Sequence, residues 1–177
     1  MQRSRINAAI EEAIGQARRH GLPLPRFAVE SNETLASKGE AFDEARACGL
    51  GWNVTDFGSG NFEKMGLVTL NLRSGNPSFP AYAGKVYSEK LLFLGPQQRV
   101  PMHYHAARIE DVICCAGEKF YVAVYSRAAN GEISDGATDV SIDGERRKVP
   151  CGDAINLKPG DSICLTPGLL HEFYTGD

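Results

Sequence analysis

The sequence predicts a mainly β protein, a barrel of short strands with a helical extension at its N-terminus. Helical periodicity is confined to residues 1–50. From Trp52 onward, short apolar or alternating runs recur between turn residues, the pattern of a barrel or sandwich. The two segments richest in chemistry, Pro101-Met102-His103-Tyr104-His105 and Pro167-Gly168-Leu169-Leu170-His171, both fall in that strand-rich part.

The first element is an amphipathic helix. Ile6, Ile10, Ala13, Ile14 and Ala17 recur at helical spacing, while Arg5, Glu11, Glu12 and Arg18 occupy other faces. Ser4 is placed to cap it, and Gly21 with Pro23 and Pro25 ends it. A second helix is expected from Lys38 to Cys48, with Ala41, Phe42 and Ala45 as its apolar stripe and Gly49 and Gly51 as its stop. Strands are expected from Leu67 to Leu72, Lys85 to Phe93, Val112 to Cys114, Phe120 to Tyr125, Thr138 to Ile142, Arg146 to Val149 and Ser162 to Leu165. Ser74-Gly75-Asn76-Pro77, Gly95-Pro96, Asn130-Gly131, Asp143-Gly144 and Lys158-Pro159-Gly160-Asp161 supply turns between them. No repeat, low-complexity tract or linker interrupts the chain. Residues 1–50 therefore read as the helical extension and residues 51–177 as the barrel of one domain.

Composition narrows the function. A chain of 177 residues is long enough to bury a real core. A net charge of −3 and a pI near 5.8 leave no basic footprint, which argues against nucleic acid as a partner. No apolar run approaches the roughly 20 residues that span a bilayer, and the N-terminus lacks a secretory apolar core. The five cysteines include no C-x-x-C pair, and adjacent Cys114 and Cys115 are poorly placed to bridge. They read as the reduced, buried thiols of a cytoplasmic protein.

Three of the four histidines lie in the two segments named above. Side chains alternate along a strand, so His103 and His105 point the same way and Tyr104 faces away into packing. Two imidazoles, the Glu110 carboxylate and the distant His171 make a site for one divalent transition metal. Any one of these histidines alone reads as a core or surface residue; the set together reads as a ligand cluster. Neutral imidazoles suit Mn, Fe, Co, Ni or Zn, and four protein ligands leave about two open positions on an octahedral ion, room for vicinal oxygens of a substrate. Trp52 reads as core ahead of a sugar-stacking platform.

The spacing of His103, His105, Glu110 and Gly117 resembles the first signature of the cupin superfamily. Pro167, Gly168 and His171 resemble the second, with the proline one position closer to the glycine. Longer stretches are similar to the D-lyxose isomerase family of cupins over essentially the whole chain. These are Arg3-Ser4-Arg5-Ile6-Asn7, Leu50 to Gly58, Gly84 to Lys90, Pro101 to His105, Arg108 to Ile113 and Gly160 to Gly168. The resemblance implies a cupin (jelly-roll) barrel with metal ligands His103, His105, Glu110 and His171 and an active-site Lys90. It implies a divalent metal, typically manganese, with zinc, cobalt or iron as alternatives. It further implies a D-lyxose ketol-isomerase that interconverts D-lyxose and D-xylulose, and often D-mannose and D-fructose, through an enediol(ate). A monosaccharide substrate, a homodimer and a place in carbohydrate metabolism follow from it.

The chain departs from the family at three places. The family's tryptophan after the second histidine and its lysine two positions beyond are here Ala106 and Arg108. Its glycine-rich run is here Cys114-Cys115-Ala116-Gly117-Glu118. Its chain continues past the third histidine with final barrel strands and an acidic residue for proton transfer, whereas this chain stops at Asp177. The expectation is therefore a fragment or a truncated relative, less active and less stable than a longer form, with His171 the loosest ligand.

Lys90 then reads as a group that polarises a substrate oxygen or moves a proton, or else as a solvated strand-end lysine. Arg108 reads as a sugar-oxygen ligand or a surface salt-bridge partner; being always protonated, it carries no proton. Asp111 orients a metal ligand or caps a turn. Glu118 and Glu172 are the available substitutes for the absent acid, and otherwise surface residues. Two further classes share the ligand set: a cupin dioxygenase, and a non-catalytic metal- and sugar-binding cupin.

Overall fold

The computed structural model describes residues 1–128 and 130–176. The chain forms two compact units: Met1–Gly60 with Leu67–Phe93, and Asn61–Gly66 with the chain from Leu94 onward. The boundary read at residue 51 falls inside the first unit, because the first three strands pair with one another and group with the helices.

In the first unit, α1 (Arg3–Arg19) buries Ala13 and Ala17 of the expected stripe and packs on β1 (Gly51–Thr55) and β2 (Leu67–Ser74). Ser4 lies inside the helix; the capping position is Gln2, whose side chain makes no capping bond. The C-terminus is a Schellman motif. Leu22 N–H donates to Ala17 O at 2.8 Å and Gly21 N–H to Arg18 O at 3.2 Å, with Gly21 at φ +65°. The expected second helix is broken. It starts earlier, as α2 (Asn32–Ser37), capped by the Ser31 hydroxyl at Thr34 N–H. A 3₁₀ turn at Gly39–Phe42 follows, then α3 (Asp43–Ala47). Gly39 at φ +53° interrupts what would otherwise be one helix. β1, β2 and β3 (Ser88–Phe93) form an antiparallel sheet in that order. Trp52 closes it, its indole N–H donating to Ala28 O at 2.8 Å and its ring meeting Phe93 at 5.7 Å.

The second unit holds eight strands: β4 (Arg99–His103), β5 (Glu110–Ile113), β6 (Phe120–Tyr125), β7 (Ala137–Ile142), β8 (Glu145–Pro150), β9 (Ala154–Leu157), β10 (Ser162–Leu165) and β11 (Leu170–Thr175). They form two antiparallel sheets, ordered β4-β11-β6-β9 and β5-β10-β7-β8. This order is that of a double-sheet jelly roll, the cupin architecture. Val100, Val122, Val124, Leu157 and Phe173 of one sheet and Val140, Ile142, Ile163 and Leu165 of the other are buried and make the core. The Asp143-Gly144 turn joins β7 to β8 as a two-residue hairpin, with both residues at positive φ and Ile142 paired to Glu145.

The placement of His171 runs against its expectation as the loosest ligand. β11 is flanked by β4 and β6, and His171 is 1% exposed, so it is the most buried of the four candidate ligands. The thiols also differ from the uniform reading: Cys48 and Cys114 are buried, but Cys115 is exposed. No helix among the described residues is long and apolar enough to cross a membrane.

Gln98 ties this unit together just before β4. It is 3% exposed; its amide N–H donates to Phe62 O at 2.5 Å and its amide oxygen accepts from Gly95 N–H at 2.8 Å. Its backbone N–H reaches the Thr175 hydroxyl at the end of β11 at 3.1 Å. Gln98→Leu keeps the volume but strands both side-chain partners, at a cost of about 2 kcal/mol or more. Thermal melts should show Tm lowered by roughly 4–8 °C.

Candidate metal centre

Each candidate ligand is placed by a different local device. His171 is the second residue of β11, and its partners are His103 on one side and Val124 on the other. His103 ends β4, and its orientation depends on a β-bulge. Phe173 pairs with Val100, but His171 pairs with His103, so Pro101 and Met102 together stand opposite Glu172. Val100 points into the core. Simple alternation from Val100 would send His103, three positions on, to the outer face. The extra residue reverses that phase and turns His103 inward. Pro101 marks the spot, since it has no N–H for a regular ladder. His105 lies just past β4 in the following loop, so it is the chain's bend, not strand alternation, that brings it to the site. Glu110 opens β5, paired with the buried Leu165.

One ligand atom from each of His103, His105, Glu110 and His171 falls within 4.8 Å of the others. Metal–nitrogen and metal–oxygen bonds of about 2.0–2.2 Å set neighbouring donors about 3 Å apart. The closest pairs match that spacing: His103 Nε2 to His171 Nε2 at 3.1 Å and His105 Nε2 to Glu110 Oε2 at 2.9 Å.

The hydrogen bonds around the rings show why a cation fits. His103 Nδ1 lies 2.9 Å from Pro101 O, and His171 Nδ1 lies 2.9 Å from Leu169 O. Carbonyls only accept, so both Nδ1 atoms carry the proton. In the neutral rings both Nε2 atoms are then bare lone pairs, facing each other. Arg108 Nη2 stands 3.1 Å from His105 Nε2 and can only donate, which makes that nitrogen an acceptor too. It then also faces the Glu110 carboxylate, a second acceptor. Four acceptor atoms converging with no donor among them is an arrangement that a shared cation satisfies. When a proton stands in for the cation on His171 or His105, its hydrogen bond and charge outweigh the burial that acts to raise the Glu110 carboxyl and hold it down to about 2. Burial, with the charges of His171 and His105, pushes His103 below the usual imidazole value.

The remaining candidates lie on other elements. Arg108 is exposed at the rim of the cluster, in contact with His105. Lys90 is exposed on β3 of the first unit, paired with Asn71. Asp111 neither orients a ligand nor caps a turn. Alternation turns it away from Glu110 to meet Cys164, whose thiol is pushed up by burial and by that carboxylate. Glu118 is exposed. Tyr104 faces away from the cluster but is not packed inside: it is 49% exposed, with the Arg127 guanidinium 5.5 Å from its ring. Sequence reading missed the bulge and the two backbone acceptors. The signals were a proline two residues before His103 and the i−2 carbonyl that precedes each β-strand ligand.

The wild-type chain should bind one equivalent of a divalent ion, and His103→Ala and His171→Ala should each bind far less by metal analysis after desalting. Saturating the wild type at about 100 times its Kd should stabilise it by about 2.7 kcal/mol. That would raise Tm by roughly 5–10 °C in a melt, and a chelator should reverse it. Equal metal content in all three proteins would sink the assignment.

Known proteins similar to this chain identify its family. The sequence pattern of the family described as D-lyxose isomerase matches residues 1–177. A D-lyxose/D-mannose isomerase of Escherichia coli O157:H7 is 36% identical over 175 residues, 98% of this chain and 77% of that protein. One from Serratia proteamaculans is 33% identical over 98% of this chain and 76% of that protein. The chain thus spans about three quarters of the length of these curated relatives. A solved structure described as a predicted oxalate decarboxylase from Thermotoga maritima is 13% identical over 62% of this chain and 81% of that one, at a TM-score of 0.21 that carries no weight here. With a match along its whole length and relatives above one-third and near one-third identity, this chain belongs to the D-lyxose isomerase family and is an aldose–ketose isomerase.

Proposed function

We propose that the protein interconverts D-lyxose with D-xylulose, and D-mannose with D-fructose more slowly, using Mn²⁺ held by His103, His105, Glu110 and His171. The observation that carries this reading is the convergence of three imidazole nitrogens and one carboxylate oxygen within 4.8 Å, in a chain of this family. The names of the relatives supply the sugars. An oxygen- and nitrogen-donor set without thiolate suits manganese, and iron, cobalt or zinc are the other ions it would accept. When bound, the ion supplies Lewis-acid polarisation to vicinal oxygens of an open-chain sugar.

The chain's own residues do the rest. The Nδ1–H bonds to Pro101 O and Leu169 O hold the His103 and His171 rings in one tautomer and one orientation. Arg108 stays protonated and donates to a sugar oxygen at the rim; it does not shuttle protons. Lys90 is assigned the polarising or proton-moving role by its place in the Gly84-Lys85-Val86-Tyr87-Ser88-Glu89-Lys90 stretch that resembles the family. A homodimer in the cytoplasm belongs to the same reading and rests on the same resemblance.

Ketose formation from a panel of aldoses with added Mn²⁺ should be fastest with D-lyxose and slower with D-mannose. Turnover of no aldose would defeat the substrate assignment. Lys90→Ala should lower kcat by roughly 10²-fold; an unchanged kcat would remove Lys90 from the reaction. Arg108→Ala should raise KM by about tenfold with a smaller effect on kcat, the signature of a group that binds substrate and transition state alike.

A further inference from the structure

Beside His171, but on the opposite face of β11, Glu172 is 8% exposed and fully engaged. Arg99 Nη1 donates to its Oε2 at 2.5 Å and the Tyr125 hydroxyl donates to its Oε1 at 2.9 Å. The Arg99 guanidinium also lies 4.8 Å over the Tyr174 ring, which stacks on Tyr121 at 5.3 Å. These residues join β4, β11 and β6, three adjacent strands of one sheet. The bonds sit where the ligands are carried. Glu172 follows His171, Tyr125 follows the His171 partner Val124, and Arg99 precedes the bulge that aims His103.

Two regular ladders compete with the bulged one. The first keeps Arg99 opposite Tyr174, puts Pro101 opposite Glu172 and carries His103 past His171 to Leu170. It turns His103 to the outer face, away from His171. The second keeps His103 opposite His171 and slides Arg99 to Thr175. That slip turns Arg99 to the other face and away from Glu172. Loss of the Arg99 ion pair to a buried carboxylate, with Tyr125 left in place on β6, counts against the second ladder. The first register keeps the Arg99–Glu172 contact but misplaces His103; the second breaks that contact and sets Pro101 opposite Phe173, where a ladder N–H is needed.

We propose that Arg99, Glu172 and Tyr125 form a clamp that holds the β4 bulge and so sets His103 against His171, which makes Glu172 a positioning residue and not the proton carrier. The clamp rests on the reading that these histidines bind the ion. Each Glu172 oxygen accepts a bond on the outer face of β11, opposite to the face that carries His171. Burial, with the hydrogen bond and charge of Glu172, pushes the Tyr125 hydroxyl up to about 12, so it remains a donor at ordinary pH.

Co²⁺ is the probe, because its visible d–d bands report ligand geometry directly. Titration calorimetry and absorption spectra would be taken on metal-free wild type, Glu172→Ala, Glu172→Gln and Tyr125→Phe. Glu172→Ala should lose affinity by roughly 10–100-fold and change the d–d bands, the usual cost of losing a group that orients a ligand. Glu172→Gln keeps an acceptor oxygen but no titratable proton, and should recover most of the affinity. Tyr125→Phe, which removes one bond and keeps the ring, should fall between wild type and Glu172→Ala. It also decides the matter if Glu172→Ala does not fold. Wild-type affinity and bands in Glu172→Ala, or in Tyr125→Phe, would overturn the clamp. So would full Co²⁺ affinity in both Glu172 variants with turnover lost in both, which would make Glu172 the proton carrier. No Co²⁺ binding by the wild type would instead sink the metal reading, and the clamp with it.

Discussion

Where β4 meets β11, one extra residue on β4 turns two imidazoles toward the same point, and the centre depends on that misfit. A regular ladder that keeps Val100 in the core would leave His103 on the wrong face of its strand. The bulge therefore defines where β5 must deliver Glu110 and where the loop after β4 must deliver His105. The barrel core supports this from below, since Val100 and Phe173 are buried on either side of the same pairing. Functional geometry here is a controlled departure from ideal sheet geometry, placed where a proline makes the departure cheap.

The sequence made much of this legible, and the limits have physical causes. The helix α1, the β6 and β10 bounds and the Asp143-Gly144 hairpin rest on local patterns, and the structure reproduces them. The ligand set was visible through spacing, because His103, His105 and Glu110 sit close in sequence. β11 was missed for an informative reason. His171 and Glu172 are adjacent polar residues in a buried strand, each pointing to a different face, so the period-two signal is erased by function. β4 and β9 are short and carry proline and asparagine. The contacts of Glu172 join residues 73 and 47 positions apart, and no local pattern encodes them.

The expectation that His171 is the loosest ligand treated the last motif in the sequence as an edge in space. In a jelly roll, successive strands cross between sheets, so the strand that comes last in the chain can be central in space. β11 is such a strand, flanked by β4 and β6. Its two neighbours lock His171 more firmly than any position on the loop could hold His105. The ligands thus divide into a strand-borne pair, His103 on β4 and His171 on the central β11 beside it, and a pair at a loop and a strand start, His105 and Glu110.

The same placement governs how the protein is made. His103 and His171 are 68 residues apart in the chain, yet paired directly. Their meeting requires closure of a long loop, and such closures come late and slow the folding of β-rich proteins. During synthesis the segment holding His103, His105 and Glu110 emerges before its distant partner and can offer an ion only an incomplete set of donors. The full set of four donors therefore exists only in the nearly finished barrel, not in the nascent chain.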